Sequence, residues 1–176
     1  MNNPYSPVEE LNLLKAFQDR VGYENFAQGF GLTEYGEVSG LLAWSEDPEF
    51  TGRLIPFAQA TGGGSFYALW RLDDREDQAT LPVVVFGDEG GEHVVARNIR
   101  ELFQLLGFDE EISVDHEEAY FYRDENEPHT DGHDEYVAWL DEHFGLLPAK
   151  DPDAVLAAAQ AESGGRFADW IRPFLP

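Results

Sequence analysis

No cysteine occurs in this chain, which excludes disulfides, thiolate zinc sites, iron–sulfur ligation and cysteine nucleophiles. Positive charge is scarce. Eleven Lys and Arg stand against thirty-five Asp and Glu, a formal net charge of -24. Such a surface repels nucleic acid and anionic lipid and attracts cationic partners, although acidity also serves solubility alone. Long apolar runs are missing too: nothing nears the roughly eighteen residues of a membrane span. The start Met1-Asn2-Asn3-Pro4-Tyr5 lacks the basic and apolar stretches of an export signal. A cytoplasmic protein without membrane contact is the expectation. What is present is core material, with 43% hydrophobic and 14% aromatic residues in 176, enough for one folded domain over 1–176.

Ser6-Pro7-Val8-Glu9 reads as a capping box, with Ser6 as N-cap and Glu9 reaching back. Val8, Leu11, Leu14, Phe17 and Val21 follow at helical spacing up to Gly22. Leu41-Leu42-Ala43-Trp44 suggests a short strand. The next stretch is the most legible. Leu54–Ala58 and Phe66–Leu72 have strand composition, with Gly62-Gly63-Gly64 between them. Asp73–Asp77 is a charged connection. Pro82–Phe86 is a β-branched run, Asp88-Glu89-Gly90-Gly91 has hairpin chemistry, and Val94-Val95 is the returning strand. Asn98-Ile99-Arg100-Glu101 opens a helix that carries Ile99, Leu102, Phe103 and Leu106 on one face. Strands in hairpin order followed by a helix predict an antiparallel α+β core.

Past residue 108 the composition turns acidic, with twelve carboxylates and the single Arg123 between Asp109 and Glu135. A helix is expected to carry Tyr136, Val137, Leu140 and Phe144 and to stop at Gly145. Another begins at Asp151-Pro152 with Val155, Leu156 and Ala159. After Gly164-Gly165, the residues Phe167, Trp170, Ile171 and Phe174 form a last helical turn or two. The fold expected is a curved, mostly antiparallel sheet flanked by helices, with an acidic connection and C-terminal helical extension over 108–176.

The glycines at 62–64 suit a tight turn between strands, through positive φ or close backbone approach. A phosphate loop fails on spacing, since Tyr67 falls at the sixth position of G-x-G-x-x-G and no G-K-[ST] occurs. Ile55-Pro56-Phe57-Ala58, Gly62-Gly63-Gly64-Ser65-Phe66-Tyr67, Pro82–Phe86 and Val95–Phe103 together resemble the central motifs of the SMI1/KNR4-like (SUKH) superfamily. Order and spacing both fit, over residues 54–107. The superfamily often carries an acid where Ser65 stands, and its N-terminal Leu-Pro signature is not evident in residues 1–40. The resemblance implies a non-enzymatic protein-binding domain. In many bacterial members it implies an immunity protein that occludes a toxin, often a nuclease.

Other chemistries fit the residues less well. A calcium loop starting at Asp124 places Pro128 at a ligand position and His129 where glycine is required. His129, Asp131, His133 and Asp134 offer transition-metal ligands, and with them a metal-assisted hydrolase as the least favoured reading. The alternative is that Thr130 or Asp131 caps a helix beginning near Gly132, with acids opposing its dipole. Ser39, Ser163 and His93 lack a nucleophile-elbow setting, and thirty-five acids make accidental carboxylate pairs uninformative. Tyr120, Phe121 and Tyr122 are expected to alternate between core and solvent. No catalytic residue, metal or cofactor is assigned. The expected partner is a protein with a basic surface, and not nucleic acid. Its expected contacts are Asp73, Asp74, Glu76 and Asp77 together with Asp88, Glu89 and Glu92, and next the 109–135 segment. An intracellular regulatory or scaffold domain without a toxin partner is the alternative.

Overall fold

The computed structural model describes residues 4–175; Met1–Asn3, part of the start read above for an export signal, lie outside them. Five strands form one antiparallel meander: β1 (Gly31–Leu32), β2 (Leu54–Gln59), β3 (Phe66–Trp70), β4 (Val83–Phe86) and β5 (Glu92–Ala96). Two more, β6 (Ile112–Val114) and β7 (Ala119–Phe121), make a separate hairpin. The helices are α1 (Glu9–Val21), the short α2 (Pro48–Thr51), α3 (Ile99–Leu106), α4 (His133–Phe144), α5 (Pro152–Ala159) and α6 (Gly165–Ile171). An antiparallel sheet flanked by helices is the architecture that the residue pattern predicts.

Every residue of β4 is buried, so it is covered on both faces and its sequence shows no alternation. Phe57, Tyr67, Leu69, Val83, Val85 and Val95 join Leu11, Leu14, Phe17, Phe103, Tyr136 and Leu140 in one core. Ala68, Trp70, Val84, Phe86 and Val94 face the other way, onto Leu41, Phe50, Phe167 and Ile171. The second core is rich in rings, set among aliphatic side chains. Phe66 stacks on Phe86 at 5.2 Å, Phe50 stacks on Trp170 at 5.9 Å, and Trp70 meets Phe167 edge-on at 5.1 Å.

Turn chemistry works as expected at the glycines. Gly64 has φ +118, and a Cβ on Gly63 would stand 3.0 Å from Asp88 Oδ2. The Ser65 hydroxyl donates to Asp88 Oδ1 at 2.7 Å and accepts from the Asp88 amide at 2.9 Å, which ties this turn to the β4–β5 hairpin. Pro56 is tolerated inside β2 because the ladder slips between Pro56 and Ala58. The edge strand β5 is covered: Gln160 Nε2 donates to the Val94 carbonyl at 2.7 Å.

The structure corrects several local expectations. Ser6 does not cap the first helix. Its hydroxyl accepts from the Val8 amide and bonds Asn12 Oδ1, and Asn12 Nδ2 donates back to the Ser6 carbonyl; Asn12, not Glu9, closes the reciprocal pair, and helix begins at Glu9. Leu41–Trp44 is no strand. Ser39–Ala43 is a 3₁₀ turn with only Leu41 buried, because a single apolar anchor suffices to fill the second core there. Gly164-Gly165 does not break the C-terminal helix, which continues through a π turn at Gln160–Gly164. The Gln160 side chain occupies the space of the missing Gly164 Cβ, 2.1 Å from where it would sit. The acidic stretch is not merely a connection, since it supplies β6 and β7. As expected, Tyr120 and Tyr122 are exposed around buried Phe121.

Gly91 joins the two sheets' turns. It sits at φ +91, and a Cβ there would fall 2.1 Å from the Asp115 carbonyl of the β6–β7 turn. Gly91→Ala is expected to cost about 1–3 kcal/mol in chemical denaturation and to speed amide exchange in residues 112–121. Unchanged stability would mean that the two turns do not pack this way.

Candidate functional site

Two groups of residues carry chemistry. The first centres on Asp109. This residue follows α3 in the left-handed region, at φ +58, a conformation that a short polar side chain tolerates best among non-glycine residues. Its carboxylate is fully buried and ties three segments together. Oδ1 accepts from the Gln28 amide at 3.1 Å, and Oδ2 accepts from the Thr130 amide at 2.7 Å. The Thr130 hydroxyl reaches both oxygens at 3.2 and 3.3 Å, and His129 Nδ1 lies 2.9 Å from Oδ2. Accepting from that nitrogen requires His129 to carry its proton on Nδ1. Arg123 completes the clamp by donating to the Asp109 and Glu127 carbonyls at 2.8 and 2.9 Å.

His133, in the first turn of α4, stacks its ring on His129 with centroids 3.8 Å apart and planes 5° from parallel. Its Nδ1 stands 3.7 Å from Asp109 Oδ2, buried and without a hydrogen-bond partner. The cluster is therefore Asp109, His129 and His133. Asp131 and Asp134 are exposed and outside it. Nor does Thr130 or Asp131 cap α4: Thr130 is committed to Asp109, and Gly132 is the cap residue, with no side-chain bond. Glycine is needed there because a Cβ would lie 2.6 Å from the Asn25 carbonyl. Asp124 Oδ1 accepts from the Asn126 amide in an ordinary exposed turn, and Glu135 lies in α4.

Three ligand-type atoms within 4.8 Å resemble a metal triad. The ring geometry argues otherwise. An imidazole binds a metal through the nitrogen lone pair, in the ring plane, and an ion in the plane of one stacked ring lies off the plane of the other. The carboxylate is also already committed to backbone and hydroxyl donors. The arrangement is a latch that holds the acidic stretch against the loop after α1. Asp109→Ala should cost about 3 kcal/mol, since it orphans buried donors. Burial, helped by the neighbouring His129 ring and opposed by Asp109, pushes the His133 imidazole below its ordinary 6.5. A base depressed in the folded state binds fewer protons there than when unfolded, so stability should fall as pH drops below about 6.5. His133→Gln should flatten that slope between pH 7 and the depressed value, as read from urea midpoints.

The second group is the acids read as contacts, which the fold divides between opposite ends of the sheet. Asp73, Asp74, Glu76 and Asp77 lie in the β3–β4 connection, whereas Asp88, Glu89 and Glu92 lie at the β4–β5 hairpin. The first set is partly neutralised. Asp73 pairs with Arg75 at 2.7 Å, whose hydrogen bond holds its carboxyl down at about 2, and Asp74 lies 3.4 Å from Arg53. Asp77 accepts from the Ala79 amide. The hairpin set gains company from the turn packed on it, where Asp115, Glu117 and Glu118 are all exposed. Among the described residues, no Lys or Arg is ion-paired with any of these six carboxylates. Sequence alone separates Asp115 from Glu92 by a helix; the packing of Gly91 on Asp115 and a hydrogen bond of 2.7 Å between His93 Nε2 and the Asp115 carbonyl unite them.

Two clefts flank this end. One, of about 560 Å³, is lined by His93, Glu117, Glu118, Tyr120, Asp153 and Gln160. The other, of about 410 Å³, is lined by Trp44, Asp88, Glu92, His116 and Leu175, with the Trp44 indole donating to Glu92 Oε2 at 2.9 Å. Comparison with family models, curated proteins and solved structures returns no match for the chain.

Proposed function

We propose that this chain is a non-enzymatic protein-binding domain that docks a basic protein surface on the β4–β5 end of its sheet, in the manner of an immunity protein. The observation that carries the reading is the gathering of six unpaired carboxylates by two packed turns around two clefts. A field of one sign over concave walls raises the encounter rate of an oppositely charged partner. Clefts lined by acids beside Trp44 and Tyr120 suit Lys and Arg side chains, whose stems pack on rings while their charges meet carboxylates. The resemblance of residues 54–107 to the SUKH superfamily supports the same role. A nuclease toxin is the favoured partner, because a surface that binds a polyanion also binds an acidic protein. Among the described residues, no helix is long and apolar enough to cross a membrane, and a cytoplasmic setting is part of the proposal.

Asp88 and Glu92 bond Ser65 and Trp44, so the test spares them. Glu89→Gln, Glu117→Gln and Glu118→Gln together should leave folding intact. They should slow association with the captured partner on the order of tenfold at low salt, and added salt should erase the difference. The partner should be basic, and the chain should suppress its toxicity on co-expression. A rate indifferent to both the triple variant and salt would overturn the docking surface. A basic partner without toxic activity would favour the regulatory alternative.

A further inference from the structure

Buried and exposed residues divide the larger cleft at the acidic end into a base and a rim. Val94 and Leu156 are buried at its base. Glu117 and Glu118 of the β6–β7 turn, Tyr120 of β7 and Asp153 of α5 are exposed around them. The rim thus sets carboxylates from two separate elements over an apolar base, and among the described residues no Lys or Arg lines the cleft. Both walls are held in place. His93 Nε2 donates to the Asp115 carbonyl at 2.7 Å and fixes the turn against β5. Gln160, at the far end of α5, donates to the Val94 carbonyl and fixes the helix that carries Asp153.

Exposed ring surface lies beside these acids. Tyr120 is 40% exposed and Tyr122 71%, more than any other large apolar side chain among the described residues. Phe121 between them is buried, which leaves both tyrosines on the solvent side. Arg123 follows directly, but its guanidinium is committed to the Asp109 and Glu127 carbonyls. It supplies no charge to the cleft.

Resting on the reading of this end as a docking surface, we propose that the cleft is its anchor point and takes one arginine side chain of the basic partner. The aliphatic stem lies on Val94 and Leu156 beside the Tyr120 ring, and the guanidinium meets the carboxylates of the rim. A planar fork with five donors serves acids on two walls at once and stacks on a tyrosine ring, which a lysine ammonium does less well. Tyrosine and arginine are also the residue types in which interface binding energy concentrates. The surrounding acids steer the encounter, and the anchored side chain sets how long the complex lasts.

The cleft is tested first without any partner. N-acetyl-arginine amide is titrated into the ¹⁵N-labelled full chain at fixed ionic strength, beside N-acetyl-lysine amide. Backbone amides of residues 117–120 and 153–157 are expected to shift saturably at millimolar arginine, and lysine should bind more weakly. Asp153→Asn should weaken arginine binding severalfold, whereas Glu76→Gln, which removes one charge at the opposite end of the sheet, should leave it unchanged. No saturable shift, or equal weakening by these two variants, would overturn the anchor. With the captured partner, Tyr120→Ala should speed dissociation about tenfold and leave association nearly unchanged, the reverse of the triple glutamate variant. Tyr120→Phe keeps the ring in the strand and should restore slow dissociation. A partner whose association slows in the triple variant but whose dissociation ignores Tyr120→Ala and Asp153→Asn would overturn the anchor and leave the docking surface standing. A partner indifferent to salt and to the triple variant would instead remove the docking surface on which the proposal rests.

Discussion

The burial of β4 on both faces is the constraint from which the rest of the architecture follows. A strand reading Val83-Val84-Val85-Phe86 has no polar side to give to solvent, so both faces of the sheet around it need a cover. The N-terminal helix, α3 and α4 supply one, and α2 with α6 supply the other. The chain therefore cannot end after α3 and remain satisfied: Ala68, Trp70, Val84, Phe86 and Val94 would face water. The C-terminal helices are half of the packing and not an appendage to a finished domain. At about 25 cal/mol per Å² of apolar surface, the ring cluster of Phe50, Phe86, Phe167 and Trp170 is a large part of what holds the far face closed.

That dependence also explains which parts of the sequence were readable. Unbroken β-branched runs and caps such as Asn98 and Asp151 act locally, so β4, α3 and α5 stand out from their own residues. The meander is readable because hairpin connections leave neighbouring strands little choice of partner. Leu41–Trp44 misleads because four apolar residues carry no period, and the contact with Phe50 and Phe86 that fixes Leu41 is made from elsewhere. The pair β6–β7 hides because it is short and charged. Its place comes from residues distant in sequence: Ile112 and Phe121 enter the main core, and Gly91 and His93 meet the Asp115 carbonyl of its turn.

The candidate sites show the same division. His129 and His133 draw attention through spacing, and acids at 131 and 134 look like their natural company. The carboxylate that meets them comes from position 109, on the far side of a hairpin. Its position there turns a ligand-like motif into a latch. In the same way, seven acids at 73–77 and 88–92 read as one surface in the sequence. They separate once β3 and β4 run between them, since strands of four or five residues at about 3.3 Å each set the two ends more than 10 Å apart. What distinguishes the ends is cation placement: Arg53 and Arg75 sit at one of them, and among the described residues no Lys or Arg pairs with the acids at the other.

The molecule is thus polarised along its strands, in a way that a net charge of -24 conceals. The two ends differ in how far their charge reaches. The unpaired acidic end projects its field outward, and at physiological ionic strength that field decays over about 8 Å. At the other end Arg53 and Arg75 pair with Asp74 and Asp73, so opposite charges cancel within the connection and less of the field leaves it. The sheet between them, buried on both faces, keeps the unpaired acids apart from the paired ones.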